Sequence, residues 1–230
     1  MAQGASRHCC DRCRGARTTV GAMSESPVVI EVFADVACPF THVGLRRFVE
    51  RRNELGLNEP VLRVRSWPLE LVNGKPMDAA FIDEEIDIIQ AEVASDLFTG
   101  FEQSAFPSTS LPAFALVAAA YRQSDQLGET VSLEIRNLIF EEGVDVADPT
   151  TIDRVAQEHG LTVTDEDKNV ASADYEEGKT RGVIGSPHFF AGGQGFFCPA
   201  LKVGRNEDDE LYVLADPEGF NAFMDACFDA

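Results

Sequence analysis

The sequence predicts an α/β protein in which a long helical segment separates two parts that form strands. An apolar, β-branched run at 28–33 is followed by a helical pattern that opens at Pro39, and a second strand-like run lies at 61–65. From Met77 to Arg181 the apolar residues recur at the three- and four-residue spacing of one helix face. Strand patterns return only after residue 182. Strand-forming segments therefore lie on both sides of a long helical segment.

The first strand, helix and second strand predict a βαβ unit, which should be right-handed with parallel strands. Cys38 stands where the first strand gives way to the helix, directly before Pro39. Free N–H groups at a helix N-terminus favour a negative charge, and the charged form of cysteine is the nucleophilic thiolate. Cys38 is thus a candidate nucleophile. The alternative is a small buried apolar residue, which is common for cysteine.

The middle of the chain predicts five helices. The fourth has a clear start signal, because Asp148 is a good N-cap and Pro149 suits the first turn. The predicted spans are Ile82 to Leu97, Pro112 to Tyr121, Val131 to Ile139, Asp148 to His159 and Thr164 to Gly178.

The end of the chain predicts a hairpin and a final helix. The segments 188–191 and 194–198 read as two strands joined by Gly192 and Gly193. A further strand is expected at 211–214, and 217–228 reads as an amphipathic helix with Cys227 on its apolar side. Cys227 is therefore interpreted as core packing.

Two motifs carry a family resemblance. Cys38-Pro39-Phe40-Thr41 at the helix start, together with the turn Gly185-Ser186-Pro187-His188-Phe189 far downstream, resembles the DsbA-like branch of the thioredoxin superfamily. That branch includes FrnE, the 2-hydroxychromene-2-carboxylate isomerases and the kappa-class glutathione transferases. The order of elements fits the resemblance over most of 28–228.

The resemblance implies a thioredoxin-like fold with a large all-helical insertion between the βαβ half and the cis-proline hairpin half. The expected divisions are 1–25 as a disordered extension, 26–76 and 182–230 as the two thioredoxin-like halves, and 77–181 as the insertion. It further implies that Pro187 is cis, which is plausible for an X–Pro bond. Its loop is expected to pack against Cys38, where the substrate docks.

The sequence departs from the family pattern in the Cys38 motif, and the function that the resemblance implies depends on this departure. Redox members carry a second cysteine where this chain has Thr41, and the related transferases and isomerases carry serine at the position of Cys38. Three functions stay open. The first is a DsbA-like thiol–disulfide oxidoreductase using Cys38, the second is a glutathione-type transferase or isomerase, and the third is a non-catalytic binding module.

The candidate site combines the two motifs with one distant cysteine. Thr41 is placed either to donate a hydroxyl hydrogen bond to the sulfur of Cys38 or only to help cap its own turn. Cys198 is hypothesised to replace the missing second cysteine and resolve a mixed disulfide, against the alternative of an inert packed thiol. Ser186 and Pro187 should offer backbone N–H and C=O groups to an extended substrate. The predicted substrate-binding residues are Pro39, Phe40, His42, Ser186, Pro187 and His188.

The two histidines of this set have open alternatives. His42, one turn after Cys38, either stabilises the thiolate as imidazolium or faces solvent. His188 points either into the sheet interior or into the cleft.

The composition of the chain excludes some classes of binding partner. With 39 acidic against 19 basic residues the formal net charge is −20, which argues against nucleic acid and anionic membranes. Six unevenly spaced cysteines do not fit a disulfide-stapled secreted fold, and no apolar stretch has membrane-spanning length. We predict a cytoplasmic protein with a thiol or disulfide substrate, either a small molecule or a protein. No tightly bound cofactor is expected, glutathione or another low-molecular-weight thiol is a candidate co-substrate, and a homodimer is left open.

The N-terminal residues 1–22 differ from the rest in composition and charge sign, and Met23 begins a stretch typical of a protein start. His8, Cys9, Cys10 and Cys13 resemble metal ligands only superficially. Adjacent ligands cannot easily point at one tetrahedral ion, and zinc sites normally draw on two separated segments. No metal site is predicted.

Overall fold

The computed structural model describes Met1 and residues 29–228, and it confirms the predicted class, an α/β sheet interrupted by a helical segment. The expectations for the N-terminal extension and for His8, Cys9, Cys10 and Cys13 lie outside the described residues. The elements are β1 (Val29–Ala34), α1 (Pro39–Glu54), β2 (Val61–Ser66), α2 (Leu69–Asn73), α3 (Ala79–Glu92), a 3₁₀-helix (Gln103–Ala105), α4 (Leu111–Tyr121), α5 (Asp125–Phe140), α6 (Pro149–Glu158), α7 (Asp165–Arg181), β3 (His188–Ala191), β4 (Gln194–Phe197), β5 (Leu201–Arg205), β6 (Leu211–Ala215) and α8 (Pro217–Phe228).

The main sheet has four strands in the order β2-β1-β3-β4. β1 and β2 are parallel, as the βαβ prediction requires, while β3 is antiparallel to β1 and β4 is antiparallel to β3. Val32 lies at the centre of the sheet, opposite Val64 on one side and Phe189 on the other. The site-bearing ends of β1 and β3 are therefore neighbours.

Each face of the sheet has its own apolar core. On one face, side chains such as Val32, Leu62 and Phe189 pack against α1 and α8. On the other face, Phe33 packs with Trp67 and with residues of α7. The close contact with α7 depends on Gly178, because a Cβ there would lie 2.6 Å from the Trp67 ring. The sheet is thus covered on both sides, and α7 belongs to the insertion.

The helical insertion has a third core of its own. It is built on α3, α4, α5 and the loops between them, with Ile86, Phe114 and Ile135 among its buried side chains. Val36 and Ala37, which immediately precede Cys38, are part of this same core. The turn carrying Cys38 is consequently held between the sheet and the insertion.

Three details differ from the prediction. α3 ends at Glu92 and does not reach Leu97, because Val93 at φ −140° leaves the helical region of backbone space. The short helix α2 was not predicted. β5 was also missed, and it pairs antiparallel with β6 in a separate two-stranded sheet. The residues around it give little signal, since Gly204 interrupts the run and Lys202 and Val203 are both exposed.

The described residues contain neither a membrane-spanning helix nor a metal-ligand cluster. None of the helices in 29–228 is long and apolar enough to cross a membrane. No group of three or more His, Cys, Asp or Glu side chains in this part of the chain is arranged to hold a metal ion.

Candidate active site

Cys38 is the N-cap of α1, with extended backbone at φ −86° and ψ 118°. Pro39 occupies the first helical position, where a missing N–H costs nothing. The thiol is 3% exposed and donates to the backbone carbonyl of Ser186 over 3.4 Å. The Ser186–Pro187 peptide bond is cis. The structure therefore brings Cys38 and the distant proline turn into direct contact.

Hydroxyl groups surround the sulfur. Thr41 Oγ1 lies 2.7 Å from Ser186 Oγ, and Ser186 Oγ accepts a hydrogen bond from the backbone N–H of Asp35 at 2.8 Å. Hydrogen bonds from the side chains of Thr41 and Ser186 and from the Thr41 backbone N–H all favour a lower pKa at Cys38. This environment supplies polar contacts to a charged sulfur inside an otherwise apolar site.

The helix N-terminus favours a lower pKa of Cys38 through the Thr41 backbone N–H, but burial decides the net direction. Burial raises the pKa of the thiol to about 11, from an ordinary value of 9.0, and outweighs the lowering contacts of Thr41 and Ser186. Desolvation disfavours a charged group more strongly than these few hydrogen bonds favour it. Burial therefore favours the protonated thiol of Cys38 near neutral pH, and its proton must leave before the sulfur can attack.

Cys198 lies on the other side of the proline turn. Its backbone N–H donates to the carbonyl of Pro187 at 3.0 Å, and its φ of +44° is in the left-handed region that disfavours side chains. Burial raises the pKa of the Cys198 thiol to about 12, and the charge of a Cys38 thiolate raises it further. Both cysteines are free thiols. The two cysteines thus contact consecutive carbonyls of one turn, Cys38 through its thiol at Ser186 O and Cys198 through its backbone N–H at Pro187 O.

The carbonyls of Ser186 and Pro187 were expected to face a substrate. Instead Ser186 O accepts the Cys38 thiol and Pro187 O accepts the Cys198 backbone N–H. The reason is that both cysteines pack directly against the turn and satisfy its buried acceptors. A substrate must therefore displace the contact between Cys38 and Ser186 to use that carbonyl.

His42 neither faces solvent nor contacts the sulfur of Cys38. Its Nε2 lies 2.8 Å from Glu141 Oε1, and its ring packs between Phe98 and Phe140 at 5.2 and 5.0 Å. Burial lowers the pKa of His42, against the raising effect of Glu141. The expectation of a substrate-facing or thiolate-stabilising His42 does not hold here, because this side chain connects α1 to the insertion.

His188 points into the sheet face covered by α7. It is buried, its ring stacks on Phe190 at 4.9 Å, and its Nδ1 accepts from the backbone N–H of Ile184 at 3.3 Å. Burial lowers the pKa of His188, with Arg181 acting in the same direction. Of the two alternatives for His188, the structure shows the sheet interior.

The rim of the site is apolar and partly open. Ile184 is 72% exposed and Phe197 is 48% exposed, with the Phe197 ring lying over Gly185, where a Cβ would approach it to 2.5 Å. Phe40, two residues after Cys38 on α1, is half-buried and packs against the core of the insertion. A cavity of about 590 Å³ is lined by Phe197, Cys198 and residues of the β5–β6 sheet. Bulky apolar groups thus flank the two cysteines.

Three buried charged residues, two beside the Cys38 turn and one on α3, were not predicted. Asp35 is buried, and its carboxylate accepts from the backbone N–H groups of Ala37 at 2.8 Å and Leu69 at 2.6 Å. Burial raises the pKa of Asp35 to about 6, against the lowering effect of its hydrogen bonds and of Arg136. Arg136 is fully buried and donates to the backbone carbonyl of Asp35 at 3.2 Å.

The third is Glu85, a buried residue of α3. Its signal in the sequence is an acidic residue inside the apolar stripe of Ile82, Ile86 and Ile89. Asp35 gives a similar signal as an acid between apolar residues just before Cys38. Arg136 is signalled more weakly, by its place directly after Ile135 in the stripe of α5.

The fold and this site define the class of protein. Residues 29–206 match the model of the DSBA-like thioredoxin domain family. Because the match spans more than half of the sequence, the chain belongs to that family. No curated protein sequence matches the chain.

Solved structures share the fold. A 2-hydroxychromene-2-carboxylate isomerase (HCCA isomerase) is 13% identical, with a TM-score of 0.56 over 74% of this chain and 88% of that chain. The cytosolic disulfide reductase DsbM from Pseudomonas aeruginosa, in its structure with GSH, is 17% identical, with a TM-score of 0.54 over 88% of this chain and 100% of that chain. At these identities the likeness is one of fold.

Proposed function

We propose that this protein is a thiol–disulfide oxidoreductase whose nucleophile is Cys38. The observation that carries the proposal is the hydrogen bond from the Cys38 thiol to Ser186 O beside the cis bond to Pro187. A second cysteine, Cys198, donates its backbone N–H to Pro187 O at the same turn. Nucleophile, polar contacts and a second thiol therefore meet at one turn. The hydroxyls of Thr41 and Ser186 have a role in stabilising negative charge on the sulfur.

The reaction proceeds by two exchanges. The sulfur of Cys38 attacks one sulfur of a substrate disulfide, a mixed disulfide forms, and the other substrate sulfur leaves and takes up a proton. A second thiol then attacks the mixed disulfide at Cys38 and releases the remaining half of the substrate as a thiol. If Cys198 is that second thiol, the protein ends with a Cys38–Cys198 disulfide, and two electrons have passed to the substrate.

The second thiol in the other version is glutathione or another low-molecular-weight thiol, acting as a diffusible co-substrate with no tightly bound cofactor. The open cavity beside Cys198 offers room for such a molecule. Glutathione is the thiol of choice because DsbM, which shares the fold, has a structure with GSH. We place the reaction in the cytoplasm, where thiols are kept reduced, and its oxidised substrate is a small molecule or a protein.

A glutathione-type isomerase or transferase is the second candidate. It is favoured by the hydroxyl pair of Thr41 and Ser186, which suits orientation of a bound thiol, and by Thr41 standing where a second cysteine is usual. In that function Cys38 orients the bound thiol and is not oxidised. A non-catalytic module would leave the hydroxyl pair without a chemical role.

The first test is peptide mass mapping of the full chain after treatment with oxidised glutathione. We expect a Cys38–Cys198 disulfide or a glutathione adduct on Cys38, and Cys198→Ser should convert the former into the latter. Cys227 is the matched control, since it is another buried free cysteine and it packs in the core between the sheet and α8. Modification of Cys38 no faster than Cys227 would contradict oxidoreductase function.

Cys38→Ser separates the two enzymatic candidates. An oxidoreductase loses its activity with this change, because no sulfur remains to form the mixed disulfide. Turnover that survives in Cys38→Ser, measured with glutathione present, would favour the isomerase or transferase.

A further inference from the structure

The carboxylate of Asp35 holds the turn that carries Cys38. Asp35 directly follows β1, three positions before Cys38, and it is 1% exposed. One of its carboxylate oxygens accepts the backbone N–H of Ala37 at 2.8 Å, and the other accepts the backbone N–H of Leu69 at 2.6 Å. Both partners are donors, and an ionised carboxylate, which only accepts, matches them. The side chain therefore ties the Cys38 turn to the start of α2.

The backbone of the same residue holds the proline turn. The N–H of Asp35 donates to Ser186 Oγ at 2.8 Å, and the carbonyl of Asp35 accepts from Arg136 of α5 at 3.2 Å. Ser186 Oγ in turn lies 2.7 Å from Thr41 Oγ1, while the carbonyl of Ser186 accepts the Cys38 thiol. Every polar group of Asp35 is thus hydrogen-bonded, and its partner Ser186 contacts the sulfur directly.

The hydrogen bond from Asp35 also limits the direction in which the Ser186 hydroxyl donates. A hydroxyl has one proton to donate and accepts through its lone pairs. Because Ser186 Oγ accepts from the Asp35 N–H, its own proton is left for Thr41 or for the sulfur of Cys38. The contacts of the Thr41 and Ser186 side chains with the sulfur are the ones that favour a lower pKa of the thiol. Hydrogen bonds that run in one direction strengthen one another.

Resting on the proposed function of Cys38, we propose that Asp35 is a positioning residue for this nucleophile. Its carboxylate fixes the turn at 35–38 so that its backbone N–H holds the Ser186 hydroxyl in place. The hydroxyls of Ser186 and Thr41 are then aligned to stabilise the thiolate of Cys38. Asp35 acts through Ser186 and exchanges no proton with the sulfur.

The variant Asp35→Asn separates this role from two simpler ones. Asparagine keeps the shape of the side chain, but it replaces one acceptor oxygen by an NH₂ donor, so one of the two contacts with backbone N–H groups is lost. A purely electrostatic role predicts a lower pKa of the Cys38 thiol, because a negative charge has been removed. A purely structural role predicts a looser, more accessible site. Both would speed a reaction of Cys38, whereas loss of positioning raises the pKa of the thiol and slows the reaction.

The experiment measures the rate at which iodoacetamide alkylates Cys38 in the full chain at pH 8, followed by peptide mass mapping. The reagent reacts with the thiolate and needs no disulfide substrate. Asp35 is ionised at this pH, since burial raises its pKa only to about 6. We expect alkylation of Cys38 to be about 3-fold slower in Asp35→Asn. A rise of about one unit in pKa leaves about a tenth of the thiolate, and the greater nucleophilicity of the more basic thiolate offsets part of this loss.

Asp145→Asn is the matched control. Asp145 makes the same kind of contact, since its Oδ1 accepts the backbone N–H of Ala147, two residues on, at 2.7 Å. Alkylation of Cys38 in Asp145→Asn should match that of the unmodified protein. An equal or faster rate in Asp35→Asn would overturn the proposal.

Ser186→Ala tests the route from Asp35 to the sulfur. It removes the acceptor of the Asp35 N–H, so it should also slow alkylation of Cys38, and adding Asp35→Asn to it should slow the reaction little further. A full further slowing in the double variant would overturn the route through Ser186. If Asp35→Asn does not fold, Ser186→Ala decides: a slower rate supports the proposal and an unchanged rate overturns it. Normal alkylation of Cys38 without any mixed disulfide from oxidised glutathione would instead contradict the proposed function.

Discussion

At the scale of single residues, the reactivity of Cys38 depends on a competition between burial and a few hydroxyl contacts. Burial raises the pKa of the thiol, and the hydrogen bonds of Thr41 and Ser186 lower it. Ser186 serves both sides of this site, since its hydroxyl lies against Thr41 and its carbonyl accepts the Cys38 thiol. Thr41 therefore favours a lower pKa of the Cys38 thiol, although it stands where a redox motif has its second cysteine.

Thr41→Val tests this tuning. Valine matches threonine in shape but has no hydroxyl, so the thiolate of Cys38 loses one hydrogen bond. We expect the pKa of the thiol to rise by about one unit, the equivalent of ~1.4 kcal/mol. The ultraviolet absorbance of the thiolate, titrated with pH and corrected with Cys38→Ser, measures the change. Thr150→Val, an exposed threonine of α6, is the control. An unchanged pKa would show that the hydroxyl does not act on the sulfur.

At the scale of elements, the insertion closes the open edge of β2. The backbone N–H groups along that edge donate to the Glu129 carboxylate from Leu62, to the Tyr121 hydroxyl from Val64 and to the Asp174 carboxylate from Ser66. Glu129 also forms a bidentate pair with Arg52 of α1, with N–O distances of 2.6 and 2.9 Å. Three helices of the insertion thus supply the partners that a further strand would otherwise provide.

Glu129→Gln should destabilise the fold strongly. Glutamine is too weak a partner for the Arg52 guanidinium, and that charge remains buried. Breaking such a pair costs about 3–5 kcal/mol, and we expect a loss in the free energy of unfolding of about 3 kcal/mol by urea denaturation. Glu158→Gln, which breaks the exposed pair with Arg154, should cost less than about 0.5 kcal/mol. Similar losses in both variants would contradict the structural role of Glu129.

The sequence predicts the elements that carry regular apolar patterns and misses those that depend on tertiary contacts. The strand before Cys38 and the helices α4 to α8 follow their periodicity, so their existence is readable. β5 is stabilised by its pairing with β6 and buries few apolar side chains. Its sequence therefore has no local pattern that would reveal a strand.

The candidate site was also predictable only in part. The meeting of Cys38 with the proline turn follows from the family motifs. The burial of Asp35 and Glu85 does not, because it depends on how α3 and the other helices of the insertion pack over the sheet.

At the scale of the whole molecule, the site lies where the core of the insertion meets the sheet. Val36 and Ala37 belong to the insertion core, while Ala34, the last residue of β1, belongs to the core between the sheet and α1. Two buried acids near this junction, Asp35 and Glu85, have raised pKa values because burial penalises their charged forms. Chemistry at the site is therefore coupled to the stability of the fold.

Glu85 should make the protein less stable as pH rises through the window from 4.5 to about 7. In this window the folded state holds a proton on Glu85 that the unfolded state has lost, so the free energy of unfolding falls as pH rises. Between about pH 5 and pH 8 we expect the unmodified protein to lose up to about 3 kcal/mol more than Glu85→Gln, by urea denaturation. Titrations of other groups cancel in this difference, and Glu84→Gln should follow the unmodified protein. Parallel curves for Glu85→Gln and the unmodified protein would show that Glu85 is ionised at the same pH in the folded and unfolded chains, and burial would then not be what controls its charge.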